Sequence, residues 1–383
     1  MTIAAPITPP RFVPNMRTAQ KLYVMHIFPE LSLAGAEIVM LNLIRGTSEK
    51  LRHHVITSNV SELSFLAQVR AAGAEISILP SFRSHPIRFM TEMRTIMSNE
   101  MPSVVHSWMY LANIASLAVP HNIPVVWSFH GEKLSHKLLP RIAELSLVPV
   151  SYFLPSTIVF PSRASWRNYM RSGFKPGISK YIHNPVDTSL FFPDAAAGQS
   201  YRQARAYPGG TVIGCAARWH PEKGHIHLFD SLRKALDDGA DITLVCAGRN
   251  MNHRTAEVKD ALRARKLEDR VILVGLESNM RGFYNSVDLM VVPSLTEAFG
   301  NVIVEAYACG VPVVSTNCGG PLEIVANREC IVPIGDVQSM ASALHRFADG
   351  LWRPSTEKLV NYARKYSLTR IGEKYTNMYR QLA

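Results

Sequence analysis

Two glutamates, Glu297 and Glu305, stand eight positions apart in the stretch TEAFGNVIVEAYACGVPVVSTNCGG, with a Phe-Gly pair between them. Gly300 can end a loop, and residues 301–308 read as a helix. Glu297 then lies in the loop and Glu305 about one turn inside the helix. At 1.5 Å per residue the two are at most roughly 12 Å apart along the axis. Between them falls a helix start, with free N–H groups and the positive end of the helix dipole. That arrangement suits an anionic ligand carrying hydroxyls on both sides of its charge. A bare pair of glutamates at this spacing is far more often two surface residues of an ordinary loop and helix, so the surroundings must decide.

Other chemistry-bearing residues also fall just after short apolar runs. Arg218 and Lys223 follow TVIGCAA in AARWHPEKGH, bracketing a Pro turn closed by Gly224. Two cations so placed can converge on one diphosphate, the arginine as a fork and the lysine as a point charge. A solvated turn is the plain alternative. His130 and Gly131 follow PVVWSF, and Gly35 follows the first apolar run and opens a helix, where glycine lets backbone approach a ligand. Gly319, Gly320 and Glu323 follow VPVVSTNC. There is no Walker A loop, no G-x-G-x-x-G fingerprint, no Gly-x-Ser-x-Gly elbow and no cluster at metal-ligand spacing.

The elements that must carry these residues alternate. Apolar runs of strand length occur at 22–28, 54–58, 75–79, 103–107, 124–129, 157–160 and 180–183, with helix-length amphipathic stretches between them. The pattern pauses at 184–210, rich in Pro, Gly and Ala, and the inter-domain linker is expected there. It restarts with runs at 211–217, 241–248, 270–275, 288–294, 311–316 and 329–334. Such βα alternation predicts parallel sheets covered by helices on both faces. The expectation is an α/β protein of two doubly wound domains: a loose tail at 1–20, a first domain at 21–195 and a second at 196–367. Ligands of such sheets bind at the carboxyl ends of the strands, so a cleft between the domains is the expected site.

At 383 residues and 47% hydrophobic content the chain fits two globular cores. No apolar run approaches the ~20 residues of a membrane span, and the Pro-rich beginning lacks a signal-peptide block. Five cysteines without a Cys-x-x-Cys pair fit reduced, buried thiols in a cytoplasmic protein. Of the net charge of +11, residues 1–195 carry +7. An anionic membrane surface, nucleic acid, an anionic substrate or mere solubility could each account for it.

Taken in order, the Gly loop, the strand-end His-Gly, Arg-x4-Lys, Glu-x7-Glu around Phe-Gly, ACGVPVVST and Gly-Gly-x-x-Glu resemble the family-4 retaining glycosyltransferases of the GT-B type. The resemblance covers about residues 21–383 and is most specific at 275–325. It implies a metal-independent enzyme without a cofactor. The enzyme would move a hexose-type sugar from a nucleoside-diphosphate sugar to a glycan or lipid-linked acceptor in surface polysaccharide assembly. By the same resemblance Arg218 and Lys223 would hold the diphosphate and Glu305 the ribose. Glu297 and the backbone of Phe299, Gly300 and Asn301 would hold the sugar. His130 would reach it from the opposing domain, and Gly35 would lie near the phosphate. The last helix, about 368–383, would cross back onto the first domain. Departures from the family pattern are Ala34, Ala298, Asn250 and Pro185, each where a glycine is common.

Three other readings stand beside this one. A nucleotide-sugar epimerase or a phosphorylase would share the fold. A non-catalytic scaffold would have little reason to keep Arg218, Lys223, Glu297 and Glu305. A nucleic-acid binder has charge in its favour, but its basic residues are scattered and no nucleic-acid module appears. One stretch bears on location. In 162–175, Arg163, Arg167, Arg171 and Lys175 recur every four residues beside Trp166, Met170 and Phe174. The expectation to test is a surface helix that sets its cations and its apolar stripe on an anionic membrane. The plainer alternative, which carries more weight, is that the stripe packs on the first-domain sheet while the cations face water, as in any core-packing helix.

Overall fold

The computed structural model describes residues 21–31, 35–60 and 62–383. The expected tail at 1–20 and the Ala34 departure lie outside them. Valine- and isoleucine-rich runs form the strands: β1 (Leu22–Ile27), β2 (Glu30–Leu31), β3 (Leu51–Thr57), β4 (Asn59–Val60), β5 (Ala74–Ile78), β6 (Val104–Trp108), β7 (Val125–Ser128), β8 (Thr157–Phe160), β9 (Ser179–Tyr181), β10 (Thr211–Ala216), β11 (Ile242–Ala247), β12 (Val271–Gly275), β13 (Leu289–Val292), β14 (Val313–Thr316) and β15 (Ile331–Val332). They make two parallel sheets, ordered β5-β3-β1-β6-β7-β8-β9 and β12-β11-β10-β13-β14-β15, and a small β2-β4 pair. Both large sheets are buried on both faces, as their near-continuous apolar strands require. Each is a Rossmann-like domain, and their carboxyl ends face one cleft.

The chain crosses between the domains twice, and the crossings touch: Val186 bridges Ser367 in parallel, and its N–H donates to the Tyr366 carbonyl at 2.9 Å. The last helix, Leu368–Leu382, then lies on the helix Gly35–Thr47. Its Ile371, Tyr375, Met378 and Tyr379 enter the first domain's core.

Two expectations are corrected. The pause at 184–210 contains a helix, Ala195–Ala204, which Asp194 caps by accepting the Ala197 N–H. It packs on the helix Met280–Asn285, and Gly198 leaves no room for a Cβ against the Asn285 carbonyl. Alanine and glycine there are helix-packing residues, so composition misread them as linker. The membrane helix at 162–175 spans only Arg163–Arg171, and its apolar stripe faces inward. Phe174 and Tyr169 are buried against Phe129 and Phe160, with Trp166 and Met170 packed beside them. The three arginines reach water, while Trp166 and Met170 stay half-buried against the core. No helix of the described residues is long and apolar enough to cross a membrane.

Candidate active site

A cavity with about 740 Å³ of empty space, open to solvent, lies between the two sets of strand ends. Gly35, His130, Lys223, Glu297, Phe299, Gly300 and Asn301 line it together. Arg218 and Glu305 do not. Arg218 is exposed at the end of β10, and Glu305 stands one turn into the helix Asn301–Ala308, accepting the Tyr284 hydroxyl at 2.5 Å. Burial raises the Glu305 carboxyl above its usual range, and the Tyr284 hydrogen bond opposes this only in part.

The second domain supplies the charged wall. Gly300 starts its helix at φ 94°, a conformation that favours glycine, and no side chain caps the first turn. The helix therefore presents uncapped N–H donors toward the cavity. Lys223 is held there by the Glu297 carboxylate at 2.7 Å. Burial works against the Lys223 ammonium, yet the Glu297 charge and hydrogen bond outweigh it and keep the group firmly protonated. The Gly-Gly turn packs beneath this loop. The Gly320 N–H donates to the Glu297 carbonyl at 2.8 Å, and a Cβ on Gly320 would meet the Ala298 oxygen at 2.5 Å. Those glycines shape the loop rather than line the cavity.

The first domain supplies a neutral wall. His130 is half-buried, and both of its ring nitrogens are shielded from water without a hydrogen-bond partner. Burial pulls its pKa down to about 4, so at neutral pH it offers one donor and one acceptor with nothing to satisfy them. The ring stacks on Trp108, centroids 5.2 Å apart and 13° from parallel. Trp108 is itself fixed by a directional chain. Its Nε1–H donates to His26 Nδ1 at 3.1 Å, which leaves the His26 Nε2–H to donate to His53 Nδ1 at 3.0 Å. The His53 Nε2–H then donates to the Thr47 hydroxyl, which donates to the Leu43 carbonyl at 2.6 Å. Each link fixes the tautomer of the next. Next to Trp108, Met109 takes φ 67°, a left-handed conformation that a non-glycine side chain rarely adopts.

Sequence reasoning missed three contacts across the cleft. Glu132 of the first domain accepts both the Thr296 hydroxyl, at 2.6 Å, and the Glu297 N–H, at 2.7 Å. Glu323 of the second domain reaches the other way and accepts the first two N–H groups of the helix Arg163–Arg171, at 3.1 and 2.9 Å. Asn184 donates to the Asn301 side chain at 2.9 Å. Glu132 sits two residues after His130, but nothing local marks it as different from any loop glutamate. One further cluster was invisible to linear spacing: the ligand atoms of His54, Glu75 and Glu100 lie within 4.8 Å of one another. Arg52 already pairs with both of its carboxylates, with Glu75 at 2.7 Å and with Glu100 at 3.6 Å.

Comparison with known proteins gives a coherent result. Residues 33–190 match the model of Glycosyltransferase Family 4, and residues 210–349 match that of Glycosyl transferases group 1. The chain is similar to the lipopolysaccharide core biosynthesis mannosyltransferase LpsB of Rhizobium meliloti, 30% identical over 175 residues. That match covers 44% of this chain and half of LpsB's length. The putative glycosyltransferase EpsF of Bacillus subtilis is 25% identical over 315 residues, 78% of this chain and 80% of EpsF. In fold, the chain resembles Anabaena HepE, solved in complex with UDP-glucose, with a TM-score of 0.80 at 18% identity over 94% of this chain and 99% of HepE.

Proposed function

This chain is a GT-B glycosyltransferase related to glycosyltransferase family 4, and from that premise we propose that it moves a hexose-type sugar from a nucleoside-diphosphate sugar to an acceptor hydroxyl with retention of configuration. The observation that carries the reading is the opposition of two walls. A lysine–glutamate pair at an uncapped helix start faces a half-buried imidazole whose two shielded nitrogens are both free.

The chemistry follows from where charge develops. As the sugar leaves, negative charge builds on the diphosphate. Lys223, the N–H groups after Gly300 and the exposed Arg218 fork are the groups suited to stabilise it. Glu297 holds the Lys223 ammonium, so a bound diphosphate would share that ammonium with the carboxylate. Glu297 and the Phe299–Asn301 backbone then position the sugar hydroxyls, and Glu305 receives the ribose. Neutral His130 hydrogen-bonds the sugar from the first domain without adding charge. The acceptor proton passes to the leaving diphosphate oxygen on the same face, so no protein nucleophile is required.

The acceptor proposed is a glycan or lipid-linked saccharide of surface polysaccharide assembly, met at the cytoplasmic face with weak association to an anionic membrane. HepE's ligand makes UDP-glucose the first donor to test, ahead of GDP- and ADP-sugars. Calorimetry should detect binding of at least one of these nucleoside diphosphates, and donor turnover should persist in EDTA. Failure to bind any of them would overturn the reading. Isomerised donor in the absence of acceptor would replace it with an epimerase.

A further inference from the structure

We propose that the outer face of the helix Leu138–Val150, with the turn that follows it, docks on an anionic lipid bilayer. The sequence sets this helix apart. Glu144 and Leu147 face inward and are buried, while Leu138, Ile142 and Leu145 share the opposite face and are exposed. Leu139 widens that stripe, at 77% exposure, and Phe153 extends it past the helix end, also at 77%. Apolar side chains this exposed are ordinary when scattered, but here they form one contiguous strip. Among the described residues nothing covers it.

Charge identifies the partner. Between residues 133 and 186 the chain carries eight lysines and arginines and one acidic residue, Glu144, which is buried. The whole +7 excess of residues 1–195 is therefore concentrated in this segment. Lys133, Lys137 and Arg141 flank the start of the strip. Arg171 and Lys175 flank its end, because the Lys175 ammonium donates to the Tyr152 carbonyl at 2.9 Å and the Tyr152 hydroxyl to the Gly173 carbonyl at 3.2 Å. Cations at the end of the helix Arg163–Arg171 thus stand beside an apolar stripe that comes from the preceding helix. A two-fold contact with a second copy would set these cations against their own images. An anionic bilayer meets both needs, taking the apolar side chains into its interface and the ammonium and guanidinium groups at its headgroups. Each cation near such a surface strengthens binding roughly fivefold.

Position gives the surface a use. The helix begins seven residues after Gly131, on the segment that leaves the carboxyl end of β7, so the strip starts beside the cleft mouth. A docked molecule would present its cleft to acceptors held at the bilayer. Docking itself does not depend on the transfer reaction, and its test is kept separate from activity.

The test is co-sedimentation with phosphatidylcholine vesicles, with and without phosphatidylglycerol, over a salt series. The protein should bind only the phosphatidylglycerol vesicles and dissociate as salt rises. Leu139→Asp with Phe153→Asp should weaken binding at least tenfold, and so should Arg141→Glu with Arg171→Glu. Both pairs should retain the wild-type circular dichroism and affinity for the nucleoside diphosphate. The inference fails if nothing sediments at low salt, if pure phosphatidylcholine binds equally, or if both pairs bind as wild type. It also fails if sedimentation velocity gives a wild-type dimer that Leu139→Asp with Phe153→Asp dissolves, because a second copy would then cover the strip. Loss of nucleotide binding by the wild type would instead strike the site assignment and leave this surface standing.

Discussion

The two walls of the cleft are built on opposite principles. The second domain's wall is ionic: Lys223, Glu297 and an uncapped helix start, each in the segment that directly follows β10 or β13. The first domain's wall is neutral and buried: His130 on Trp108, backed by His26 and His53, side chains drawn from β1, β3, β6 and the end of β7. One wall holds charge that a diphosphate can use. The other holds imidazoles that must stay uncharged to remain buried. The difference should show first in how each domain tolerates acid.

That gives the largest expected effect. Burial lowers the pKa of His130 to about 4 and of His53 to about 3, and pulls His26 and His106 well below the usual histidine range. The unfolded chain takes up these protons near pH 6.5 and the folded domain does not. Stability from keeping them neutral is therefore complete above about pH 6.5 and is lost as pH falls from there toward 4. Each imidazole removes up to about 1.4 kcal/mol per pH unit in that window. The one shifted buried histidine in the second domain, His225, moves the other way: burial lowers it, but the Cys215 thiol and its hydrogen bonds raise it on balance. Calorimetry at pH 7 and pH 5 should show one melting event split, the first domain moving to lower temperature. A scan whose Tm is unchanged at pH 5 would break the contrast.

Next in size is the diphosphate grip. Lys223→Ala and Arg218→Ala should each cost about 2–4 kcal/mol of transition-state stabilisation, a hundredfold or so, mostly in kcat. Wild-type turnover by both folded variants would show that the charge wall lies elsewhere. Lys223→Ala should have the larger effect, because it also leaves Glu297 half-buried without its partner.

The same contrast explains what the sequence made legible. The second-domain wall is local: Arg218 to Gly224 and Glu297 to Glu305 are short segments, so spacing alone nearly builds the site. The strands were legible as well, because buried parallel strands are written as unbroken apolar runs. The first-domain wall is assembled from His26, His53, Trp108 and His130, residues spread over a hundred positions, and no linear spacing connects them. Glu132 and Glu323 were obscure for a related reason, since their partners lie in the opposite domain. The helix at 195–204 was hidden by composition, and the exposed strip at 138–153 by its resemblance to a core helix. Exposure is a property of the fold, and apolar periodicity does not say which way a stripe faces.

A kinetic split sharpens the map of the ionic wall. Glu297 touches Lys223 and faces the cavity, whereas Glu305 stands back beside Tyr284. Glu297→Ala should lower kcat by tens of fold with little change in donor KM. Glu305→Ala should raise donor KM about tenfold and spare kcat, since a ribose contact is present in ground and transition states alike. A nucleoside diphosphate bound in a crystal with its ribose far from Glu305 would refute the second assignment.

The smallest effect concerns the residue that crosses between the walls. Glu132 belongs to the first domain, yet its carboxylate receives the Thr296 hydroxyl and the Glu297 N–H on a single oxygen. It touches neither the Lys223 ammonium nor the cavity, so its role is to position the loop that carries Glu297. Glu132→Ala removes both hydrogen bonds and lets that loop shift. A displacement of this kind should lower kcat about tenfold, roughly 1.4 kcal/mol, while donor KM and Tm stay near wild type. Glu132→Gln keeps an oxygen that can accept both donors and loses only the charge, so it should recover most of the rate. If alanine and glutamine lower kcat equally, the carboxylate acts through its charge and the positioning account is wrong. If alanine leaves kcat untouched, the coupling between the two walls runs through other contacts, such as Glu323, Asn184 and the paired crossings at Val186 and Ser367.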